Sequence, residues 1–347
     1  MRGLRKYLTP FAPDQSGAVS VLFELGGIVV ICDAGGCTGN VCGFDEPRWF
    51  EQKSAIFSAG LRDMDAILGR DDRLVAKLAD VVQKIDATFV AVIGTPVPAV
   101  IATDYLALKR MSEKKIKLPI LTVDTDGMEL YDKGEEKAFL ELFRTFAVEK
   151  YPVDEHRIGI LGMTPQDVSD LDAADKIRDL YQQKYGKQAV CYCMGDGLEE
   201  IREASSVSRN IVVSPAALMT AKYLEKTFGT PYEIDYPLVD ELIPDVDYTG
   251  KEVLIVHQQV IANSIRKELL KKGAKRVQIA SWFMMKKELL ADGDVLLRDE
   301  DAYIELVQNG DFDIIFADGC MERMIPEFKG IFVDTRHFAV SGKLIGK

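Results

Sequence analysis

The feature that most constrains this chain is a repeating alternation. A short apolar run is followed by a turn rich in glycine or proline, then by a longer stretch with apolar residues at helical spacing. Runs such as Ile28 to Ile31 and Phe89 to Ile93 are apolar at every position. Both faces of such a strand must be covered, which is the habit of parallel strands in layered α/β folds. Parallel neighbours also need long crossovers, and the helical stretches supply them. The chain is therefore expected to be α/β, with two to three Rossmann-like parallel-sheet units spread over its 347 residues. The units are expected at 1–150, 151–246 and 247–347.

Strands are expected at 27–32, 88–93 and 120–123 in the first unit. The second unit has them at 158–161, 188–191 and 210–213, and the third at 252–257, 276–281, 312–316 and 330–333. Helices are expected at 54–83 with a break near Gly69, then at 99–113, 134–150, 167–185, 197–204, 215–228 and 259–272. Gly229-Thr230-Pro231 and Gly273 stand where helices stop.

Charge narrows the partners. Lys and Arg number 43 against 55 Asp and Glu, a formal net charge of −12. An acidic surface repels nucleic acid and anionic membrane, so neither is expected as a partner. No apolar run approaches the roughly 18–20 residues of a membrane span. The basic start, Met1 to Phe11, is not followed by a signal-peptide core. A cytoplasmic location is the expectation, and in that compartment the six cysteines would be thiols, ligands or redox groups.

Three cysteines and four glycines fall within the twelve residues Cys32 to Gly43, directly after the first strand. Ligands of open α/β sheets bind at the carboxyl ends of strands. Glycines let backbone N–H groups approach an anion, and a thiolate-ligated iron–sulfur cluster is such an anion. A [4Fe–4S] cluster takes about four Cys, more than this loop offers. Two subunits about a twofold axis would supply four thiolates from Cys37 and Cys42. Cys32, at the strand end, is a weaker metal-ligand candidate, since free Cys often simply packs. Cys191 and Cys193 share one strand face and read as core. Cys320 follows the strand at 312–316.

These stretches resemble the nitrogenase component 1 family, which includes nitrogenase molybdenum–iron protein subunits, cofactor-assembly scaffolds and dark-operative protochlorophyllide reductases. The resemblance rests on Gly17-Ala18 with 25–32, on Gly35-Gly36-Cys37, and on 57–61 with 65–69. It extends to 92–104, to 119–126, to 210–213 with 228–232, and to 312–317 with 338–342. It implies that Cys37 is a cluster ligand, with Gly35, Gly36 and Thr95 beside the cofactor. It also implies a homodimer or a heterodimer with a similar subunit, electrons from a separate ATP-dependent iron protein, and a small-molecule substrate. The chain itself has no G-x-x-x-x-G-K-[ST] phosphate loop.

The departures limit the activity. The family's first cluster ligand would fall at 13–16, where there is no Cys, and its third at Thr95. Cys42 would replace a lost ligand. The cofactor-binding Cys would fall near Ser214, and the late His ligand has no clear match. Dinitrogen reduction is therefore not expected. His257, after the strand at 252–257, and Asp124, after that at 120–123, are the proton-transfer candidates. His337 has a similar position, and His156 reads as a surface residue. The leading expectation is an oxidoreductase component carrying an iron–sulfur cluster and passing electrons to an unknown small molecule. The alternatives are a non-catalytic scaffold or carrier for cluster or cofactor assembly, and a cluster-free binding module using the loop at 94–99.

Overall fold

The structure is a computed structural model that describes residues 5–52 and 54–346. The basic start from Met1 to Leu4 lies outside them. The described residues contain thirteen strands in three sheets. The first sheet has the order β2-β1-β3-β4, from Ile28–Ile31 (β1), Ala55–Ser58 (β2), Val90–Ile93 (β3) and Ile120–Val123 (β4). The second has the order β6-β5-β7-β8, from Arg157–Leu161 (β5), Gln188–Cys191 (β6), Asn210–Val212 (β7) and Tyr232–Ile234 (β8). The third has the order β11-β10-β9-β12-β13, from Glu252–Val256 (β9), Arg276–Ser281 (β10), Val295–Leu296 (β11), Ile314–Ala317 (β12) and Ile331–Asp334 (β13).

Every ladder between these strands is parallel. The fold is α/β with parallel sheets only, as the apolar runs require. In each sheet the first strand in the chain is central, its successor lies on one side, and the chain then crosses to the other. That reversal creates a switch point beside β1 and β3, β5 and β7, and β9 and β12, where such folds hold ligands.

Several expected elements change. The segment 54–58, expected to begin a helix, is strand β2, and the helices behind it are Asp63–Leu68 and Asp71–Val82. Of Ala55-Ile56-Phe57-Ser58 only Ile56 is buried, its neighbours are half-buried and Ser58 is exposed, a pattern too short to stand out from a helical one. The expected helix at 99–113 is divided into Pro96–Val100 and Tyr105–Lys115, where the Asp104 side chain caps the second piece. The stretch 167–185 likewise divides into Pro165–Val168 and Ala173–Tyr185, with Ser169 at φ 60 between them. Strands β8 and β11 and the helix Glu300–Asn309 had no counterpart among the expected elements.

Two helix crossings set the geometry of the centre. The helix Asp14–Leu22 lies fully buried against Tyr131–Phe146. The contact is made through glycine: a Cβ on Gly17 would fall 1.9 Å from the Tyr131 carbonyl oxygen, and one on Gly134 would fall 1.7 Å from that of Asp14. No side chain fits there, so the two backbones touch. The start of the helix at 131 is thereby held where the three sheets converge.

Candidate functional site

The cysteine loop grows from the first switch point. The Cys32 N–H donates to the Ile93 carbonyl at 2.8 Å, and the Thr95 hydroxyl donates to the Cys32 carbonyl at 2.6 Å. Cys32 is buried in the apolar layer with Val30, Val90 and Val92. Burial, reinforced by Asp33, pushes its thiol up to about 12. Asp33 then organises the turn, accepting the Ser58 hydroxyl at 2.5 Å and the Thr38 N–H at 2.8 Å. Gly35 takes φ 118, a conformation that an L side chain resists.

A short helix, Gly36–Asn40, runs directly into one wide turn, Val41–Asp45, closed by the Glu46 N–H on the Val41 carbonyl at 2.9 Å. Such i→i+5 turns are rare and recur at functional sites. Cys37 and Cys42 lie on this double turn. Both are half-buried, and both pack against the core of the first two sheets. Burial raises both thiols, with Asp33 adding to it at Cys37 and Glu46 at Cys42. A Cβ on Gly36, Gly39 or Gly43 would meet nothing within 4 Å. Packing therefore does not explain those glycines, which leave bare backbone beside the two thiols. Gly35 and Gly36 flank Cys37, while Thr95 stands beneath the loop, fully buried.

The loop is anchored by a residue that sequence reasoning missed. Arg48 is about 2% exposed and meets two carboxylates, Glu46 at 2.7 Å and Glu24 at 2.9 Å. It also donates to the Ser20 carbonyl at 2.6 Å and to the Cys193 carbonyl at 3.3 Å. The loop, the buried helix at 14–22 and the end of the second sheet are thus fastened by one guanidinium. Burial would lower its pKa, but the two glutamates outweigh that and raise it. Cys191 and Cys193 are core residues of the second sheet.

A second polar cluster lies where the three sheets meet. The Tyr131 hydroxyl donates to Asp167 at 2.5 Å, and His337 Nε2 lies 3.0 Å from the same oxygen. With the tyrosine proton committed to Asp167, His337 Nε2 must carry its own proton and donate. His337 stacks on His257, with centroids 4.3 Å apart and planes 11° apart. His257 Nδ1 accepts the Gln258 N–H at 2.8 Å, so its Nε2–H donates to the Arg336 carbonyl at 3.2 Å. Burial, then His337, lowers the His257 pKa well below the usual histidine range.

Three acids border this stack. Asp132 accepts the Met284 N–H, and its pKa is pushed up to about 6 by burial. Glu135 accepts the Thr164 hydroxyl at 2.5 Å, and its carboxyl is raised well above its ordinary range by burial and by Asp167. Three buried atoms here have no hydrogen-bond partner: Asp167 Oδ2, Glu135 Oε2 and His337 Nδ1. Asp124, by contrast, is exposed and pairs with Lys137 at 3.6 Å. Ser214 is buried at the end of β7, where its hydroxyl caps the next turn.

The structure therefore stacks His257 on His337, sets Cys37 and Cys42 on adjoining turns of one loop, and leaves Asp124 outside both groups. Tyr131, Glu135, Asp167 and Arg48 went unread in the sequence. Asp167 was findable, because Thr164-Pro165-Gln166-Asp167 follows the carboxyl end of β5 as the cysteine loop follows β1. Among the described residues, no three His, Cys, Asp or Glu side chains come together in a way that could hold a metal ion. No described helix is long and apolar enough to cross a membrane.

Parallel sheets, a thiol loop at a switch point and a buried polar junction define an assembly of Rossmann-like units. The family model described as nitrogenase component 1 type oxidoreductase matches residues 14–238, and the chain belongs to that family. It is 28% identical over 180 residues to the nitrogenase iron–molybdenum cofactor biosynthesis protein NifE of Clostridium pasteurianum, covering 51% of this chain and 38% of that protein. Against NifE of Bradyrhizobium diazoefficiens it is 22% identical over 185 residues, covering 51% of this chain and 32% of that one. The matched stretch thus spans about a third of the length of these relatives. The solved structure described as nitrogenase Cp1 at pH 6.5 superposes with a TM-score of 0.72 over 96% of this chain and 87% of its own, at 12% identity. That likeness establishes the fold.

Proposed function

We propose that the chain is a nitrogenase-like oxidoreductase component holding a [4Fe–4S] cluster between two subunits, with Cys37 and Cys42 of each subunit as ligands. The observation that carries this reading is the sorting of the thiols. Cys37 and Cys42 stand half-open on one double turn beside bare glycine backbone, whereas Cys32, Cys191 and Cys193 are buried and Cys320, also half-buried, lies apart in the turn after β12. One chain supplies two thiolates where a cluster takes about four, so a similar second subunit completes the set. Exposed apolar side chains at the carboxyl edge of the first sheet support this contact: Val100, Ile101 and Met128. When bound, the cluster supplies one-electron transfer. Iron would draw both raised thiols into the thiolate form, and Gly35 and Gly36 would let backbone approach the cluster's sulfurs. Thr95 holds the loop's stem through Cys32.

In this reading electrons arrive from an ATP-dependent iron-protein-like reductase and leave to a small-molecule substrate in the cytoplasm. Dinitrogen is not that substrate, since Ser214 stands where the family's cofactor thiol would be. A second reading, a scaffold or carrier for a metal cluster or cofactor, is favoured by the match to two NifE proteins over half of this chain.

The test is anaerobic reconstitution with iron and sulfide, with metal counting, low-temperature EPR and sedimentation. About four irons per dimer, lost in Cys37→Ala and in Cys42→Ala, are expected. Iron that survives both substitutions would remove the assignment. Transfer of the loaded iron to an apo-acceptor, without electron delivery from a reductase, would favour the scaffold reading.

A further inference from the structure

A groove of about 750 Å3 lies beside the cysteine loop, and its other walls are the turn after β5 and the short helix Phe338–Ser341. Both walls are tied at their roots to the start of the helix Tyr131–Phe146. Two rungs join this helix to the turn. The Tyr131 hydroxyl donates to Asp167 Oδ1 at 2.5 Å, and the Thr164 hydroxyl donates to Glu135 Oε1 at 2.5 Å. Tyr131 and Glu135 share a helix face, separated by about 6 Å of rise. Thr164 and Asp167 belong to a single turn, in which the Val168 N–H donates to the Thr164 carbonyl at 3.0 Å. The carboxyl groups of Glu135 and Asp167 therefore stand in adjacent rungs of one interface.

Each rung satisfies one oxygen of its carboxyl. The other two oxygens, Glu135 Oε2 and Asp167 Oδ2, are buried and have no hydrogen-bond partner. Two ionised carboxylates give each other nothing, since both are acceptors only. A single proton between them turns one oxygen into a donor and completes both. We infer that Glu135 and Asp167 hold one proton between them, and that this proton latches the helix to the turn and so keeps that wall of the groove in place. The inference stands apart from the cluster reading.

The surroundings put the proton on Glu135. Asp167 receives the tyrosine hydroxyl and has His337 Nε2 3.7 Å away, and both favour its ionised form. His257 stacks on His337. Glu135 has only the neutral Thr164 hydroxyl. Burial, then the charge of Asp167, raises its carboxyl well above the ordinary range, and Asp132 on the same helix adds to the repulsion. The cation that acts on Glu135 is Arg48 of the cysteine loop, and its guanidinium is already shared by Glu46 and Glu24. A proton bound in the closed latch and lost from the open one makes closure pH-dependent. The folded pKa lies above the ordinary value of 4.5, so the latch is complete below that pH and weakens as pH rises towards the folded pKa.

The test is infrared spectroscopy and amide hydrogen exchange on the iron-free full chain. At neutral pH the spectrum should contain a protonated-carboxyl C=O band that moves when glutamate carboxyls are labelled with carbon-13. Glu135→Gln, which supplies an N–H donor in place of the acid proton, should remove that band. Asp167→Asn, which replaces the accepting carboxylate, should shift or abolish it. Exchange of the amides at 164–168, taken relative to Glu135→Gln at the same pH, should quicken at least about tenfold between about pH 5 and about pH 7. Absence of a glutamate-labelled acid band in the wild type would overturn the inference, whether or not the variants fold. A band that survives Glu135→Gln, or one that Asp167→Asn leaves unmoved, would overturn the shared proton. An exchange ratio that stays flat with pH would overturn the latch.

Discussion

The cysteine loop and the three-sheet junction occupy equivalent places, the carboxyl ends of parallel strands, yet they are built in opposite ways. The loop is open, with two half-exposed thiols and glycines with free space around them. The junction is closed: Tyr131, Asp167, His257 and His337 are all buried and satisfy most of one another's hydrogen bonds. The cavity between His257, Ser281, Phe283 and His337 has no room for a water-sized occupant. Ligands therefore have space at the loop, while the junction fixes how the three sheets sit. Arg48 ties the loop to the buried helix at 14–22 and, through the Cys193 carbonyl, to the end of the second sheet.

The sharpest way to break the contrast is to cut that link. Arg48→Met leaves Glu46 and Glu24 facing each other with no cation, one of them buried. A loss of about 3–5 kcal/mol in urea unfolding is expected, the scale for breaking a buried ion pair from one side. A loss under about 1 kcal/mol would mean that the loop is not fastened to the helix at 14–22 and the second sheet through this guanidinium.

The next effect is a pH dependence confined to the junction. Asp132 has its pKa raised to about 6 in the fold, against 3.8 for the free side chain. A folded pKa above the unfolded one means that the folded state binds the proton more tightly. Stability from this group is thus present below pH 4 and lost as pH rises towards 6. At about 1.4 kcal/mol per pKa unit the loss approaches about 3 kcal/mol. His257, whose folded pKa is lowered, works in the other direction and loses stability as pH falls below about 6.5. The quantity to read is therefore the difference between Asp132→Asn and wild type across pH 4 to 7. That difference should change in favour of the variant as pH rises, and a flat one would contradict the burial assigned to Asp132.

Tyr131→Phe removes one hydroxyl and strips a partner from both Asp167 and His337. A cost of about 1–3 kcal/mol is expected by thermal unfolding, with no change in iron content. The smallest effect belongs to the loop. Cys37→Ser and Cys42→Ser should change the stability of the iron-free protein by about 0.5 kcal/mol or less. Cys193→Ser, which buries a hydroxyl in apolar core, should cost about 1–3 kcal/mol.

The same contrast explains what the sequence reveals. The apolar runs from Ile28, Phe89 and Ile120 are short-range signals, so the parallel α/β class was readable, as was the dense cysteine and glycine loop. Strand β2 was not, because Ala55–Ser58 lies at an edge and carries a weak alternation. The junction was legible only in part. His257 and His337 mark strand ends, but their stacking depends on β9 and β13 lying on either side of β12. Tyr131 meets His337 across 206 positions of sequence, a pairing with no local signature. Arg48 has no local signature, because Glu24 and the Cys193 carbonyl are brought to it only by the fold.

The most direct test of the account is quantitative alkylation of the six cysteines, read by mass spectrometry on the native iron-free protein and on the anaerobically reconstituted one. Cys37 and Cys42 should react in the iron-free protein and become protected together on loading. Cys32, Cys191 and Cys193 should stay unlabelled in both states. Protection that leaves Cys37 or Cys42 reactive, or labelling of the three buried thiols that changes with iron, would contradict the assignment of the loop as the ligand site.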